Sequence, residues 1–294
     1  MKISGLAIVN GAQTTGAIGS VTSDSIEEGR LLARFIKCDD AGTVQDIIRF
    51  NNRQNPTQAS DFRSNDRVQA RLVEEFKALG VVGYNGGRRG GAEDVIRRPG
   101  ENQLSAIVAA QALAAFHDRP DVAYHEKGQI WEADSIYSRV FPDRTSAQHI
   151  VFVYSLLRAI EQQKVAVNAK DEDSRTQDDK ELVTWFGLRG STFLAVAAMG
   201  ATSEAVLGMA IPDRYTLRFK ENLIIPQAVD AWTPVVSAIL ALAPDQLTDA
   251  LTGPGGLRNR PAVEGSMATF RAIIAATKRV NAPIYSAFAE RVTK

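Results

Sequence analysis

Residues 104–116, Leu-Ser-Ala-Ile-Val-Ala-Ala-Gln-Ala-Leu-Ala-Ala-Phe, decide the class of this fold. Alanine and leucine are strong helix formers, so the stretch predicts a helix that packs in the core or against a partner. Helical periodicity also dominates from about residue 145 to the end, which makes the larger part of the chain helical. The expected breaks in that part are a charged surface loop at 170–180, Pro212, Pro226, Pro234, Pro244, a glycine-rich turn at 253–256 and Pro283.

The strand candidates lie in the N-terminal third, at residues 5–9, 31–38 and 81–84. An amphipathic helix follows Ser60 or Asp61, either of which is a good N-cap, and Gly80 ends it. Its apolar stripe consists of Val68, Leu72, Val73, Phe76 and Leu79. We therefore predict an α-rich α+β fold, with a small mixed sheet and helices in the N-terminal third, followed by a mainly helical part. The expected boundary divides residues 1–100 from residues 101–294, either as two parts or as one fused globule.

The composition of the 294-residue chain is that of an ordinary soluble protein. Its 34 basic and 34 acidic side chains cancel, which excludes a polycationic tail but allows a local basic face. The single cysteine, Cys38, excludes an internal disulfide and a four-cysteine zinc site, and it fits a reducing compartment. There is no recognisable signal peptide, and the longest apolar runs are too short to span a bilayer. We therefore expect a cytoplasmic protein that has no membrane partner.

The first polar turn, Asn10-Gly11-Ala12-Gln13-Thr14-Thr15, follows the first predicted strand. Ligands bind at strand ends in α/β structures, because loop side chains and helix N-terminal amides converge there. Asn10 and Gln13 offer paired donors and acceptors, and Thr14 adds a hydroxyl, which is typical of a recognition element for a polar ligand. The alternative is that Asn10 and Thr14 only cap the turn and the helix after it.

A second polar segment is rich in amides and arginines. It contains Asn51, Asn52, Arg53, Gln54 and Asn55, and then Asp61 and Arg63. Five arginines between residues 49 and 71 face only two acids, Asp61 and Asp66, and this excess of positive charge favours an anionic ligand. Asp61 is either the N-cap of the following helix or a carboxylate that is held ionised beside a substrate.

The third polar segment is Gly86-Gly87-Arg88-Arg89-Gly90-Gly91, and Arg97 and Arg98 follow it closely. Glycines allow the backbone to approach phosphates, while arginines make bidentate contacts with them. The spacing fits neither a P-loop nor a dinucleotide fingerprint. The alternative is a flexible hairpin tip whose arginines only aid solubility.

The three histidines, His117, His125 and His149, are scattered, and no two of them have the spacing of metal ligands. We therefore predict neither a metal site nor another cofactor.

The order of the polar turns resembles that in the abortive-infection phage-resistance (AIPR) proteins of bacteria. The resemblance covers roughly residues 5–145, and the strand-Asn-Gly-x-Gln-Thr turn is its most specific part. The matching segments are 8–15, Ile-Val-Asn-Gly-Ala-Gln-Thr-Thr; 51–56, Asn-Asn-Arg-Gln-Asn-Pro; 61–64, Asp-Phe-Arg-Ser; and 88–90, Arg-Arg-Gly. The resemblance implies defence against phage. Larger members carry a long region ahead of this turn, so we expect a short, stand-alone member of the family.

The first turn is also similar to the Asp-Gly-Gln-His-Arg and Asp-Gly-Gln-Gln-Arg turns of ParB-like and modification-dependent restriction proteins. Asn10 replaces the leading acid here, which argues against nucleotide hydrolysis by this turn.

The favoured function is a metal-independent DNA glycosylase that excises a modified base from phage DNA and leaves an abasic site. Such an enzyme flips the nucleotide into a pocket, reads the base with amide side chains, and stabilises a positively charged sugar with an ionised carboxylate. The predicted roles are catalytic for Asp61 and Asn10; substrate-binding for Gln13, Thr14, Asn51, Asn52, Gln54 and Arg63; and DNA phosphate-binding for Arg53, Arg88, Arg89 and Arg97. DNA is the predicted partner. The hypothesis requires the three polar segments to close into one cationic cavity.

Two alternatives remain open. A nuclease would need a metal-binding cluster of carboxylates, for which Asp61, Asp66, Glu74 and Glu75 are available at helical spacings. A ParB-like nucleotide-binding switch or DNA sensor would use the same arginines and the Asn10 turn without excising a base.

Overall fold

The computed structural model describes residues 36–38, 40, 43, 63, 66–84 and 102–294. The strand predicted at residues 5–9 and the three polar segments, apart from Arg63, lie outside the described residues. The strand predicted at 31–38 is described only at residues 36–38, which have no regular secondary structure.

Most of the described chain is helical. The helices are α1 (Arg67–Leu79), α2 (Ala106–Phe116), α3 (Pro120–His125), α4 (Gln129–Glu132), α5 (Asp134–Val140), α6 (Ala147–Ala169), α7 (Gln177–Gly187), α8 (Ser191–Leu207), α9 (Ile225–Leu240), α10 (Ala243–Thr252), α11 (Arg260–Thr277) and α12 (Ala282–Ala289). Short 3-10 turns lie at Glu172–Ser174, Arg214–Thr216 and Gly256–Arg258. The strands are β1 (Gly83–Tyr84), β2 (Gln103–Leu104), β3 (Arg218–Phe219) and β4 (Val292–Thr293).

The strands form two small sheets. β1 pairs with β2 in parallel, with Gly83 opposite Gln103, and β3 pairs with β4 in antiparallel register, with Arg218 opposite Thr293. The strand predicted at 81–84 is therefore confirmed in its second half. Together with the dominant helices, these sheets confirm an α-rich α+β fold.

The core is built around α6, the long helix that α9, α2 and α8 pack against. The aromatic rings of Phe152, Trp232 and Phe288, from α6, α9 and α12, lie in contact at the centre. Leu72 and Phe76 of α1 belong to the same core, as the predicted apolar stripe of that helix requires. Both are at most 1% exposed, so burying the stripe ties α1 to the helical part.

The start of α1 differs from the prediction. The helix begins at Arg67 and its N-cap is Asp66, whose carboxylate accepts hydrogen bonds from the Val68 amide and the Tyr137 hydroxyl. The predicted caps, Ser60 and Asp61, were wrong, because a tertiary contact with Tyr137 fixes the cap at Asp66. The predicted end is confirmed: Gly80 has a φ of 69°, a left-handed conformation that glycine adopts without strain.

Most of the predicted helix breaks are observed, and one is not. Pro226, Pro244 and Pro283 lie in the first turns of α9, α10 and α12, where a missing amide hydrogen costs nothing. Pro234 was wrongly predicted to break the chain, since it lies inside α9. The burial of Trp232 and its neighbours against α6 offsets the loss of one backbone hydrogen bond there.

The charged segment 170–180 is a loop only in part. It contains the 3-10 turn Glu172–Ser174 and the start of α7, whose first turn is closed by a capping box between Thr176 and Asp179. The Asp179 carboxylate also accepts two hydrogen bonds from the Lys170 ammonium, which holds the pKa of Asp179 below its usual value. One acidic side chain of the segment, Asp179, thus helps to cap a helix, and the low apolar content of the segment did not predict this role.

Among the residues that the structure describes, no single helix has the length and apolar character needed to cross a membrane.

Candidate functional site

The predicted site residues, with one exception, lie outside the described part of the chain. They are Asn10, Gln13, Thr14, Asn51, Asn52, Arg53, Gln54, Asp61, Arg88, Arg89 and Arg97. The exception is Arg63, whose Nε donates a hydrogen bond of 2.9 Å to the Trp131 carbonyl and whose guanidinium pairs with Asp134 and lies over the Tyr137 ring. These contacts fasten Arg63 to α4 and α5, and its role in substrate binding stays a prediction.

A cavity of about 640 Å³ opens between α2, α5, α8 and α11. Its volume lies in the range of about 300–1,000 Å³ that ligand sites usually have. Six arginines and three carboxylates line it, which leaves an excess of three positive charges. The arginines are Arg119, Arg139, Arg144, Arg214, Arg260 and Arg271, and the carboxylates are Asp118, Glu204 and Asp213. A recess of this size and charge is suited to an anionic ligand.

Arg214 is held in the cavity by three hydrogen bonds. Its Nη1 donates hydrogen bonds to the Phe116 carbonyl at 2.9 Å and to Asp118 Oδ1 at 3.1 Å, and its Nη2 pairs with Asp118 Oδ2. Gly200 of α8 makes room for this arrangement, since a Cβ there would lie 2.4 Å from the Phe116 oxygen and 3.0 Å from Arg214 Nη1. The guanidinium is thus fixed before any ligand arrives, which lowers the entropic cost of binding.

Asp118, which holds Arg214, has a left-handed backbone with a φ of 67°. This conformation follows directly on the end of α2 and turns the chain into α3, whose first residue is Pro120. Aspartate tolerates the left-handed region better than most residues, although at some cost in strain. The turn places the carboxylate of Asp118 and the guanidinium of Arg119 at the same cavity, and Arg119 is itself paired with Asp121.

A second fixed arginine, Arg144, comes from the turn before α6. Its Nε lies 2.7 Å from Asp213 Oδ2, and its guanidinium lies over the Tyr215 ring at 4.7 Å. The other oxygen of Asp213 accepts a hydrogen bond from the Tyr215 amide and so caps the 3-10 turn that carries Arg214. Asp213 therefore connects the turn before α6 with the turn after α8, and it holds Arg144 and Arg214 at one cavity.

Arg139 and Arg271 are held differently. Among the described residues neither side chain has a hydrogen-bond or ion-pair partner, and both are exposed. Their charges are therefore available to a ligand without an exchange of partners.

His117 lines the cavity and contacts the buried His149 behind it, with 3.0 Å between His117 Nε2 and His149 Nε2. His149 Nδ1 is 2.8 Å from the Leu217 carbonyl and must donate to it, so Nε2 of neutral His149 accepts a hydrogen bond from His117. Protonation of His149 at Nε2 would set its new N–H group against the N–H group of His117. The His117 ring also stacks on Tyr215, with 3.6 Å between the ring centroids.

The histidine pair is uncharged at neutral pH. Burial lowers the pKa of His149 to about 4, and burial, the His149 ring and the guanidinium groups of Arg214 and Arg144 lower the pKa of His117 well below 6.5. The cavity wall therefore adds no positive charge, and all of the excess comes from arginine. Burial likewise raises the pKa of Tyr215, so its hydroxyl stays protonated and donates to the Arg139 carbonyl.

We expect the histidine pair to make the fold sensitive to acid. A histidine whose pKa falls from 6.5 in the unfolded chain to about 4 in the fold binds its proton only after unfolding, so stability is complete above pH 6.5 and is lost toward pH 4. The loss from His149 alone is about 3 kcal/mol. Urea unfolding across this range should show a smaller loss in His149→Asn, which keeps a donor for the Leu217 carbonyl, than in the wild type. His125→Asn removes an exposed histidine and should lose as much as the wild type; an unchanged profile in His149→Asn would contradict the assignment.

Sequence reasoning missed this cavity, although a signal for it was present. Three of its arginines follow aspartate in Asp-Arg dipeptides next to a proline: Asp118-Arg119-Pro120, Pro142-Asp143-Arg144 and Pro212-Asp213-Arg214. Each dipeptide lies in a turn between apolar helices, so its charged pair does not contribute to the core. The repetition of this Asp-Arg pattern in three turns is the signal that could have indicated a charged site.

Two of the four carboxylates considered for a nuclease have structural hydrogen-bond partners, and Asp61 lies outside the described residues. Asp66 caps α1, and Glu75 is bound by Arg71 and by the Ala147 amide at 2.8 Å. Within the described ranges, no group of three or more histidine, cysteine, aspartate or glutamate side chains is arranged to hold a metal ion.

The fold and the cavity together define an α-rich α+β protein with a cationic recess of ligand size. The chain belongs to the AIPR family, because the family model described as AIPR protein matches residues 1–261. This membership indicates anti-phage defence and supports the resemblance seen in the polar turns. No curated protein and no solved structure matches the chain significantly.

Proposed function

We propose that this AIPR protein acts on DNA in the cytoplasm and defends the cell as a metal-independent DNA glycosylase that excises a modified base from phage DNA. The observation that carries the proposal is the convergence of six arginines on one cavity of ligand size. Arginine binds phosphate oxygens in a bidentate manner, and phosphates supply most of the affinity of proteins for DNA. The cavity therefore suits a phosphate-bearing unit of a nucleic acid.

The chemistry itself is assigned to the polar turns. The bond between C1′ and the base would break, and the base would leave with the bonding electron pair and take up a proton. The carboxylate of Asp61 would stabilise the positive sugar and then accept a proton from the water that adds to C1′. The products are a free base and an abasic deoxyribose. Asn10 and the amides of residues 51–54 would read the polar edge of the base, and Arg214 and Arg144 would hold phosphates of the same DNA.

The first test uses purified protein with modified and with unmodified phage DNA, in EDTA and without added nucleotide. We expect abasic sites that break on treatment with alkali. Strand breaks that need magnesium would overturn the proposal in favour of a nuclease. Consumption of ATP or CTP without abasic sites would overturn it in favour of a nucleotide-dependent switch.

Within this proposal, Asp61→Asn is expected to lower the rate of excision about 100-fold or more, because amide nitrogen and oxygen cannot replace an ionised carboxylate beside the sugar. DNA binding and the unfolding midpoint should stay at the wild-type level. Asp230→Asn makes the same change of charge at an exposed position of α9 and should be fully active. Full activity in Asp61→Asn would remove Asp61 from the catalytic group.

The second candidate, a nucleotide-binding switch, is favoured by the size of the cavity. A recess of about 640 Å³ admits a single nucleotide but not a duplex, so a free nucleotide fits it as well as a flipped one.

A further inference from the structure

A smaller cavity of about 190 Å³ lies beside the arginine cavity, between α8 and α11. The two cavities share the lining residues Asp118, Ala201 and Arg271, so they adjoin, and we call the two together the recess. We call the smaller part the slot. It corresponds to the volume of about six waters in the liquid, and a single ring system is of this size.

The walls of the slot differ in character from the arginine cavity. Ala197 and Ala201 of α8 face Val263 and Met267 of α11. Alanines one helical turn apart leave a shallow, flat wall, while a methionine thioether is polarizable and makes favourable contacts with aromatic rings. Asp118, Glu264 and Arg271 also line the slot, and their charged groups can meet the polar edge of a ring. The slot therefore combines an apolar surface with a few charged groups.

We propose that the recess binds one nucleoside phosphate unit, with its phosphate among the arginines and its base in the slot. This assignment rests on the proposed function and names the ligand class for the same site. Two features of the recess carry it: an excess of three positive charges in the larger part and a slot beside it that is lined largely by apolar side chains. A phosphate joined through a sugar to a planar base has this same division of charge and apolar surface.

The order of the parts along the recess supports a single ligand. Arg271 lines both parts, so a phosphate bound near it is next to the slot. Arg214 and Arg144 lie in the larger part and are held in place by carboxylates on neighbouring turns. The phosphate of the ligand would thus contact arginines that are already held in place. Its base would then lie beside Ala197 and Ala201 of the slot.

Titration calorimetry at neutral pH tests the assignment with defined probes. The probes are the four deoxynucleoside 5′-monophosphates, deoxyribose 5-phosphate, inorganic phosphate and a nucleoside without phosphate. At least one nucleotide is expected to bind about 10-fold more tightly than deoxyribose 5-phosphate, since the buried base adds apolar contact worth over 1 kcal/mol. The nucleoside alone should bind more weakly than the nucleotide, because it lacks the charge that the arginines select.

A pair of variants on α11 provides a matched control. Ala268 and Ala276 are both exposed alanines of this helix, but only Ala268 lines the slot. Ala268→Phe is expected to remove the advantage of the nucleotide over deoxyribose 5-phosphate and to leave binding of inorganic phosphate unchanged. Ala276→Phe adds the same side chain outside the slot, two helical turns further along, and should preserve the advantage.

The outcomes separate this inference from the proposed function. Equal affinities for nucleotide and deoxyribose 5-phosphate, or no effect of Ala268→Phe, would overturn the slot assignment even if the DNA assay shows excision. Base-dependent binding together with a negative DNA assay would uphold the assignment, overturn the glycosylase, and identify a free nucleotide as the source of the ligand. Competition between the bound nucleotide and single-stranded DNA would identify a nucleotide of the DNA instead.

Discussion

Replacement of both Arg144 and Arg214 by glutamine is expected to weaken the binding of single-stranded DNA roughly 100-fold at near-physiological salt. Each guanidinium is held at the cavity by a carboxylate of the protein. A hydrogen bond from a guanidinium to a charged phosphate of the DNA would contribute about 1.5–3 kcal/mol to binding. Two such contacts account for the expected change, since about 1.4 kcal/mol corresponds to a factor of 10. Fluorescence anisotropy across a salt series is the measurement, and the slope of log K against log salt should become shallower by about 1.4, the value for two single-strand phosphate contacts.

Two controls test whether the loss of DNA binding is specific to arginines of the cavity. Arg189→Gln with Arg258→Gln removes the same charge from exposed arginines that do not line the cavity, and it should retain wild-type affinity within about 3-fold. Arg139→Gln removes a guanidinium that has no hydrogen-bond or ion-pair partner among the described residues, so it should weaken binding about 10-fold without any loss of stability. If the remote pair weakens DNA as much as the cavity pair, the cavity is not the binding surface.

Truncation of Phe152 to alanine is expected to destabilise the protein by about 4 kcal/mol, the largest effect on stability that we predict. The ring is 1% exposed and contacts the rings of Phe116, Phe219, Trp232 and Phe288. Removing it leaves a cavity at the centre of four elements, because each of these neighbours is held by other contacts and cannot fully collapse. Equilibrium unfolding in urea measures the loss.

Phe152→Leu keeps most of the volume and is the matched control, with an expected loss of about 1–2 kcal/mol. The carbonyl oxygen of Phe152 accepts a hydrogen bond from Trp232 Nε1 in either variant, so the comparison isolates the side chain. A loss below about 1 kcal/mol in Phe152→Ala would mean that the core around α6 is loosely packed. The cavity would then lack a rigid support, because Phe116, whose carbonyl holds Arg214, lies in the same cluster.

The helical part was predictable because its signals are local. Propensity and apolar spacing within a dozen residues specify α2, and Gly80 ends α1 because no other residue adopts its backbone so easily. The error at Pro234 shows the limit of such signals. A proline is unfavourable in any helix interior considered alone, and only the packing of α9 on α6 compensates for it.

The sequence did not predict the arginine cavity, since none of the described arginines that line it was a predicted site residue. The sequence indicated a cationic site for an anionic ligand, from arginines in the first hundred residues. The described structure has a cationic cavity in the helical part, lined by Arg144, Arg214 and their neighbours, and ligand binding by it is a proposal. The closing of the N-terminal turns around Asn10, Asp61 and Arg89 stays a prediction.

The sequence by itself determined the family, the α-rich class and most of the helices. A turn motif and helical periodicity are local signals, which depend only on residues close together in the chain. Only the tertiary structure decided which arginines lie together at one cavity. Arg144 and Arg214 are 70 positions apart, and Asp118 lies on a third turn. They meet because α2, α6 and α8 pack around one core and bring their connecting turns to one end. No pattern of spacing along the chain predicts that these turns lie close together.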